Sequence, residues 1–145
     1  MNKHRFRIQK LNLDNHKTAF CEFLIQLHKH YHSDSELNLV GVIEYFDSVL
    51  VRHLEKYEIH ICVGQGKKIV GFSVCYDAVS FVELSEKRTQ QMQLKELFVC
   101  AEYRGNGIGT LLMENVMRRA KAVGCYRVDW NVRDWNKGGI EFYKR

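Results

Sequence analysis

Apolar residues recur along this chain at two different periods, and the switches between them mark out its elements. Phe6 and Ile8 alternate with polar neighbours, and Leu11 follows after a slip, so residues 5–11 read as a first strand. Asp14 or Asn15 can cap the helix that follows. Within it Phe20, Phe23, Leu24, Leu27 and Tyr31 fall at helical spacing and form one apolar face. The polar stretch His32-Ser33-Asp34-Ser35-Glu36 breaks that pattern as a loop. Ile43, Phe46, Leu50 and Leu54 then predict a second helix over residues 40–55, facing inward along those four.

The period next shortens to two. Ile59, Ile61 and Val63 alternate, Gly64-Gln65-Gly66-Lys67 supplies a turn, and residues 69–76 form the partner strand of a hairpin. Residues 80–91 are a polar connection too long for a tight turn, and residues 93–100 form another strand. A glycine-rich turn at 104–109 leads into a helix over 110–123, with Leu111, Leu112, Val116 and Ala120 on one side and Gly124 as its stop. Residues 126–132 form a further strand, and Gly138 and Gly139 lead into a final helical turn ending at Arg145. The order βααβββαβα sets a mixed sheet between helices, an α/β (mixed α+β) class within a single domain.

Composition narrows this picture only slightly. With 145 residues, 46% apolar and 27% charged, the chain suits one soluble globular core. The apolar stretches are short and interrupted by charge, and the N-terminus lacks an apolar signal region, so the expectation is a cytoplasmic protein with no membrane partner. Five scattered cysteines, an odd number without a CxxC pair, read as buried, reduced core residues. Charge is more telling. Residues 102–145 hold nine Lys/Arg against five Asp/Glu, whereas residues 1–101 hold thirteen against twelve. The positive surplus thus lies in the half with the glycine-rich turn, where it suits nucleic acid, a phosphate-rich cofactor or simple solubility.

That turn, Arg104-Gly105-Asn106-Gly107-Ile108-Gly109, sits between a strand and a helix. A helix N-terminus leaves amides free and favours negative charge, and glycines let a phosphate approach those amides. Arg104 adds a planar donor fork suited to pyrophosphate. A Walker loop needs Gly-Lys-Ser/Thr, but Gly109 precedes Thr110-Leu111. The dinucleotide fingerprint needs a third glycine where Thr110 stands, although Asp129 does lie about twenty residues on. A helix start that is glycine-rich for packing alone is the remaining alternative.

Spacing of this kind resembles the acetyl-coenzyme A motif of the GNAT superfamily, where Gln or Arg precedes Gly-x-Gly/Ala by two residues. The likeness extends to Glu96-Leu97-Phe98-Val99, similar to that family's fourth strand, and to Asn136 through Tyr143-Lys144-Arg145, similar to its asparagine-to-tyrosine segment. Trp135-Asn136 and Phe142-Tyr143-Lys144-Arg145 look most like the diamine (spermidine/spermine) acetyltransferase branch. The close resemblance covers residues 94–145. It implies a mostly antiparallel mixed sheet whose fourth and fifth strands splay to hold the pantetheine arm on the backbone of Leu97, Phe98 and Val99. An N–H near Phe98 or Val99 is then the donor to the thioester carbonyl.

The same resemblance implies acetyl-CoA as cosubstrate, a small polyamine-like or other primary amine as acceptor, and no nucleic acid partner. Cofactor contacts carry over to Arg104, Gly105, Asn106, Gly107, Ile108, Gly109, Thr110 and Asn136. Tyr143 matches the general acid that protonates the leaving thiolate, and Glu96 matches a carboxylate near the amine in some members, with a surface ion pair as its alternative. Tyr31, Asp34 and Glu36 fall where the acceptor loop lies. His28, His30 and His32 lack a carboxylate at ligand spacing, so they read as a solvated helix end beside the acceptor site and not as a metal site. The family continues beyond the tyrosine with two more strands, so the expectation is a domain over 1–145 without them, its fifth strand's edge covered by a partner in a homodimer. A protein N-terminal or lysine acetyltransferase and a catalytically weak CoA-binding module are the rival readings.

Overall fold

A computed structural model of the chain describes residues 5–132 and 136–141. Its elements run β1 (Arg7–Lys10), α1 (Leu13–Tyr31), α2 (Leu39–Ser48), β2 (Glu58–Val63), β3 (Ile69–Val79), β4 (Gln90–Val99), α3 (Ile108–Ala122), β5 (Arg127–Val132) and β6 (Asn136–Glu141). The six strands lie in chain order in one sheet. All neighbouring pairs are antiparallel except β4 and β5, which are parallel around the α3 crossover. The expected mixed, mostly antiparallel sheet flanked by helices is therefore present.

Alternation along the strands divides the interior into two layers. Ile59, Ile61, Phe72, Val74 and Phe98 point to α1 and α2, where they meet Phe20, Phe23 and Phe46. The other face packs on α3: Met92, Leu94 and Val128 meet Val116 and Ala120, and Cys62 and Val70 meet Ile108 and Leu112. All five cysteines are buried and free.

Local chemistry moved several element ends from the positions that the periodicity suggests. Asn12, not Asp14 or Asn15, caps α1, its side-chain oxygen accepting the Asp14 N–H at 2.9 Å. The second helix stops at Ser48, whose hydroxyl donates back to the Glu44 carbonyl at 2.8 Å. The chain then tightens into 3-10 geometry over residues 50–56. The last element needs a larger correction. Residues 136–141, where Gly138 and Gly139 were expected to lead into a helical turn ending at Arg145, form β6, and residues 142–145 lie outside the described residues. Gly138 and Gly139 stand opposite Trp130 and Asp129. A residue without a side chain fits beside an indole across a ladder as readily as it leads into a helix. Thus the outer edge of β5, for which a partner was expected, is covered by the chain's own β6.

One feature of β4 positions everything that follows. Val74 pairs with Glu96, but the next residue of β3, Cys75, pairs with Leu94, so Lys95 is an extra, bulged residue. Before it the even-numbered Met92 and Leu94 face α3; after it the odd-numbered Leu97 and Val99 do, and Phe98 turns to α1. Pairing of β4 with β5 also ends at Leu94 opposite Trp130. Beyond that point the two strands diverge, the splay that the resemblance implied.

Packing of α3 on the sheet is tight at Gly71. A Cβ there would lie 3.1 Å from the Phe98 carbonyl oxygen and 3.2 Å from both Ile108 and Leu112. Gly71→Val should therefore cost about 1–3 kcal/mol by overpacking, read as a melting temperature lower by several degrees. Under the same helix, His60 lies buried opposite Ser73. Burial lowers its pKa below 6.5, Arg119 and Lys10 add to this, and Glu58 opposes it. The unfolded chain consequently binds this proton more readily, and stability should fall as pH drops below 6.5. A thermal-melt series over pH 8 to 5.5 should show that decline in the wild type and a flatter profile in His60→Gln.

Candidate active site

The strand-turn-helix unit after the bulge builds a cleft of about 440 Å³. The end of β4 forms its floor through Leu97, Phe98 and Val99, the turn from Tyr103 to Thr110 forms one side, and His30 and Tyr31 of α1 form the other.

The turn exists because its backbone goes where side chains are disfavoured. Gly105 and Gly107 have φ of 85° and 77°, the left-handed region that glycine enters without steric cost. Asn106 donates its side-chain amide to the Tyr103 carbonyl at 3.0 Å and so ties the loop to itself. Gly107 is the N-cap of α3 but has no side chain with which to cap it. The first i→i−4 bond of the helix runs from the Leu111 N–H to the Gly107 carbonyl. The N–H groups of Ile108, Gly109 and Thr110 accordingly have no carbonyl within the helix, and they meet the cleft at the positive end of the α3 dipole.

Arg104 adds charge at the same mouth. Its guanidinium lies 5.4 Å from the centre of the Phe98 ring, and its Nε donates to the Val99 carbonyl at 3.1 Å. That bond leaves the planar terminal amino groups available to an anion while fixing the side chain's root. Lys68 stands behind, over the Tyr103 ring at 5.4 Å and paired with Glu102 at 3.1 Å.

Backbone direction along β4 follows from one hydrogen bond. The Cys100 N–H donates to the Val70 carbonyl of β3 at 2.8 Å. Peptide groups alternate along a strand, so Phe98 also faces β3, whereas Val99 and Leu97 turn their N–H and C=O groups to the other side. There β5 has already departed. The open donors are thus the amides of Leu97 and Val99, and of the two positions that the resemblance offered as donors, Phe98 and Val99, only Val99 is on the open side.

The remaining candidates fall into three groups. Tyr31 lines this cleft, and Glu96 is half-buried on the α1 side of β4, sharing its face with Phe98 because of the bulge. Glu36 lines a different cleft, of about 570 Å³ between α1 and α2, with His28, Leu37 and Tyr45, and Asp34 is exposed in the intervening turn. The three acceptor candidates are therefore not brought together. Asn136 opens β6 opposite Val132, and Tyr143 lies outside the described residues.

Periodicity treated His30 only as part of a polar helix end, yet it is a wall of the cleft, its ring 5.1 Å from that of Phe98. The sequence reading set this helix end beside the acceptor site, but as a solvated one. The His28 and His32 rings are 4.6 Å apart, and among the described residues no three His, Cys, Asp or Glu side chains gather as a metal would need. Cys100, next to the cleft, is 1% exposed, and burial raises its pKa, so it presents no thiolate there. Among the described residues no helix is long and apolar enough to cross a membrane.

Comparison with known proteins agrees with this geometry. The sequence model of the acetyltransferase (GNAT) family matches residues 20–145. An uncharacterized N-acetyltransferase of Methanocaldococcus jannaschii is 40% identical over 85 residues, which are 59% of this chain and 36% of that protein. The thialysine N-epsilon-acetyltransferase of Bos taurus is 32% identical over 80 residues, 55% of this chain and 44% of that protein. The matched part thus spans less than half the length of these curated relatives. Among solved structures, an integron cassette protein from the mobile metagenome of V. cholerae shares the fold with a TM-score of 0.76 and 24% identity, over 90% of this chain and 76% of that one. Glucosamine-6-phosphate N-acetyltransferase from Arabidopsis thaliana does so with a TM-score of 0.64 and 19% identity over 97% of each chain. With a glycine turn opening α3, a splayed pair of parallel strands and a family match over most of its length, this chain belongs to the acetyltransferase (GNAT) family.

Proposed function

We propose that this protein is an N-acetyltransferase that moves the acetyl group of acetyl-CoA to a primary amine of a small metabolite. The observation that carries this reading is the continuity of one cleft, from the amides that open α3 to the open backbone edge of β4. In it the cofactor's pyrophosphate lies against Gly105, Gly107, Ile108, Gly109 and Thr110, with Arg104 on its outer side. The pantetheine arm runs into the gap left by β5 and pairs with Leu97, and the Val99 amide polarises the thioester carbonyl.

Relatives supply the acceptor class. Thialysine N-epsilon-acetyltransferases are among them, as is an Arabidopsis thaliana L-ornithine N5-acetyltransferase, 38% identical over 56 residues. Those names describe amines on short aliphatic arms, and we carry over that class and not a particular compound. The amine attacks the thioester directly, Glu96 assists it from the α1 face of β4, and Tyr143 protonates the departing thiolate. A panel of thialysine, ornithine, spermidine, an aminoglycoside and a free-amino peptide, scored by consumption of acetyl-CoA, tests the acceptor class. Turnover confined to the peptide would replace it with a protein acetyltransferase.

Gly109 offers a clean test of the cofactor half. A Cβ there meets nothing within 4 Å, and its φ is not positive, so Gly109→Leu leaves the fold unstrained. It should even gain a few tenths of a kcal/mol to about 1 kcal/mol of helix propensity. Acetyl-CoA should raise the melting temperature of the wild type by mass action, and Gly109→Leu should lose that shift while melting no lower by itself. A full shift in the variant would put the phosphates elsewhere.

The acid is tested by Tyr143→Phe, which keeps the ring and removes the proton. General-acid help is worth about 10²–10⁴-fold, so kcat should fall by roughly that factor with the acetyl-CoA thermal shift unchanged. Full kcat would make solvent the acid, and joint loss of kcat and cofactor binding would make the ring structural.

A further inference from the structure

His30 is held in a way that its sequence neighbourhood does not suggest. It lies in the last turn of α1, and its ring contacts two aromatic rings: Tyr31 at 4.9 Å and 85°, and Phe98 at 5.1 Å and 57°. Phe98 is the β4 residue between the two whose amides open into the gap. The imidazole therefore stands on the α1 wall of the cleft while its exposed edge reaches solvent. Charged and titratable groups surround it: Arg104 over the same Phe98 ring, Tyr103 from the turn, Tyr31 from α1 itself, and Glu96 two residues before Phe98 on the same face of β4.

A reaction at this place needs a proton acceptor for the amine. Alkyl amines with pKa values near that of lysine, about 10.4, are ammonium ions at neutral pH and cannot attack until a proton is removed. Imidazole is the side chain best suited to accept a proton near neutrality and release it to water.

We propose that His30 is the general base that deprotonates the acceptor's ammonium group in the cleft between α1 and β4. The inference rests on the amine-acetyltransferase reading given above. In the step, a His30 ring nitrogen takes one proton from R-NH3⁺, and the electrons of that N–H bond remain on the amine as its lone pair. The lone pair forms the C–N bond at the thioester carbonyl, and the C–S pair leaves with sulfur. The nitrogen sheds a second proton as the amide forms, which balances the one taken up by the thiolate. His30 passes the first proton to solvent, so each turnover releases one proton.

The test compares wild type, His30→Gln and His30→Ala with the amine of the panel that wild type acetylates fastest, over pH 6–10. Near neutral pH, His30→Gln should lower kcat/KM for the amine by roughly 10²-fold. The deficit should shrink as pH approaches the amine's own pKa, where free amine no longer needs a base. The acetyl-CoA thermal shift should stay at the wild-type value, and added imidazole should restore part of the His30→Ala rate. A wild-type pH profile in His30→Gln would overturn the assignment. So would an equal loss at every pH with no response to imidazole, which would reduce His30 to packing on Phe98. If wild type is neither stabilised by acetyl-CoA nor active on any panel amine, the acetyltransferase reading itself fails and takes this inference with it.

Discussion

Lys95 adds one residue to β4, and the geometry of the cleft depends on that insertion. A side chain at an ordinary ladder position would keep Leu97 on the same face as Lys95. The bulge instead moves each later residue to the opposite face. Phe98 is thereby turned into the α1 layer, where Phe23 meets it at 5.8 Å and Phe72 pairs beside it. Leu97 and Val99 are turned down onto α3. The same distortion coincides with the last β4–β5 pair, so the peptide groups of Leu97 and the N–H of Val99 lose a strand partner where the cleft begins, while the Val99 carbonyl accepts from Arg104. Unpaired peptide groups in a folded interior are costly unless something satisfies them. In the function proposed above, the pantetheine arm satisfies them in the manner of an added strand.

The cleft's other wall is fixed by close approach rather than by hydrogen bonds. Gly71 allows α3 to settle with Ile108 and Leu112 within van der Waals reach of β3. Those two residues belong to the first two turns of the helix whose amides open the cleft. Position of the anion site is thus tied to core packing, because moving α3 outward by a methyl group moves the amides as well. Interiors packed to crystal-like density transmit such displacements instead of absorbing them. Arg104 is coupled to the same frame through its bond to the Val99 carbonyl and its place over Phe98.

Much of this was legible in the sequence because it depends on local chemistry. The glycines at 105, 107 and 109 marked the turn between strand and helix, and apolar spacing separated α1, α3 and the β2–β3 hairpin correctly. What stayed hidden depends on partners distant in sequence. A bulge at Lys95 leaves no compositional mark, since lysine suits any exposed strand position, and so the face of Glu96 could not be read. Gly138 and Gly139 were ambiguous until Trp130 and Asp129 stood opposite them. His30 looked like one of three solvated imidazoles, and only the ring of Phe98, 68 residues later, distinguishes it. The caps slipped for a smaller reason: Asn12, Asp14 and Asn15 are all competent, and hydrogen-bond geometry chose the first.

Chemistry within such a frame favours transfer in one step over storage of the acetyl group on the protein. A covalent relay needs a nucleophile that reaches the thioester, and a cysteine serves only as its thiolate. Every cysteine of this chain is buried, and burial pushes Cys62 and Cys125 up to about 11 and Cys75 to about 12. Cys62, Cys75 and Cys125 also lie in the layer under α3, and Cys100 points into the α1 core. On the proposed reading the acceptor comes to the cofactor directly, along a wall made of α1 and the α1 face of β4. That wall combines aromatic edges from Tyr31 and Phe98 with the polar groups of His30 and Glu96. An aliphatic arm ending in an amine matches it, because the arm can lie on the rings while the nitrogen meets the polar groups. In the proposed reaction the sheet edge holds the thioester and the end of α1 holds the amine, and the His30 and Phe98 rings, 5.1 Å apart, join the two.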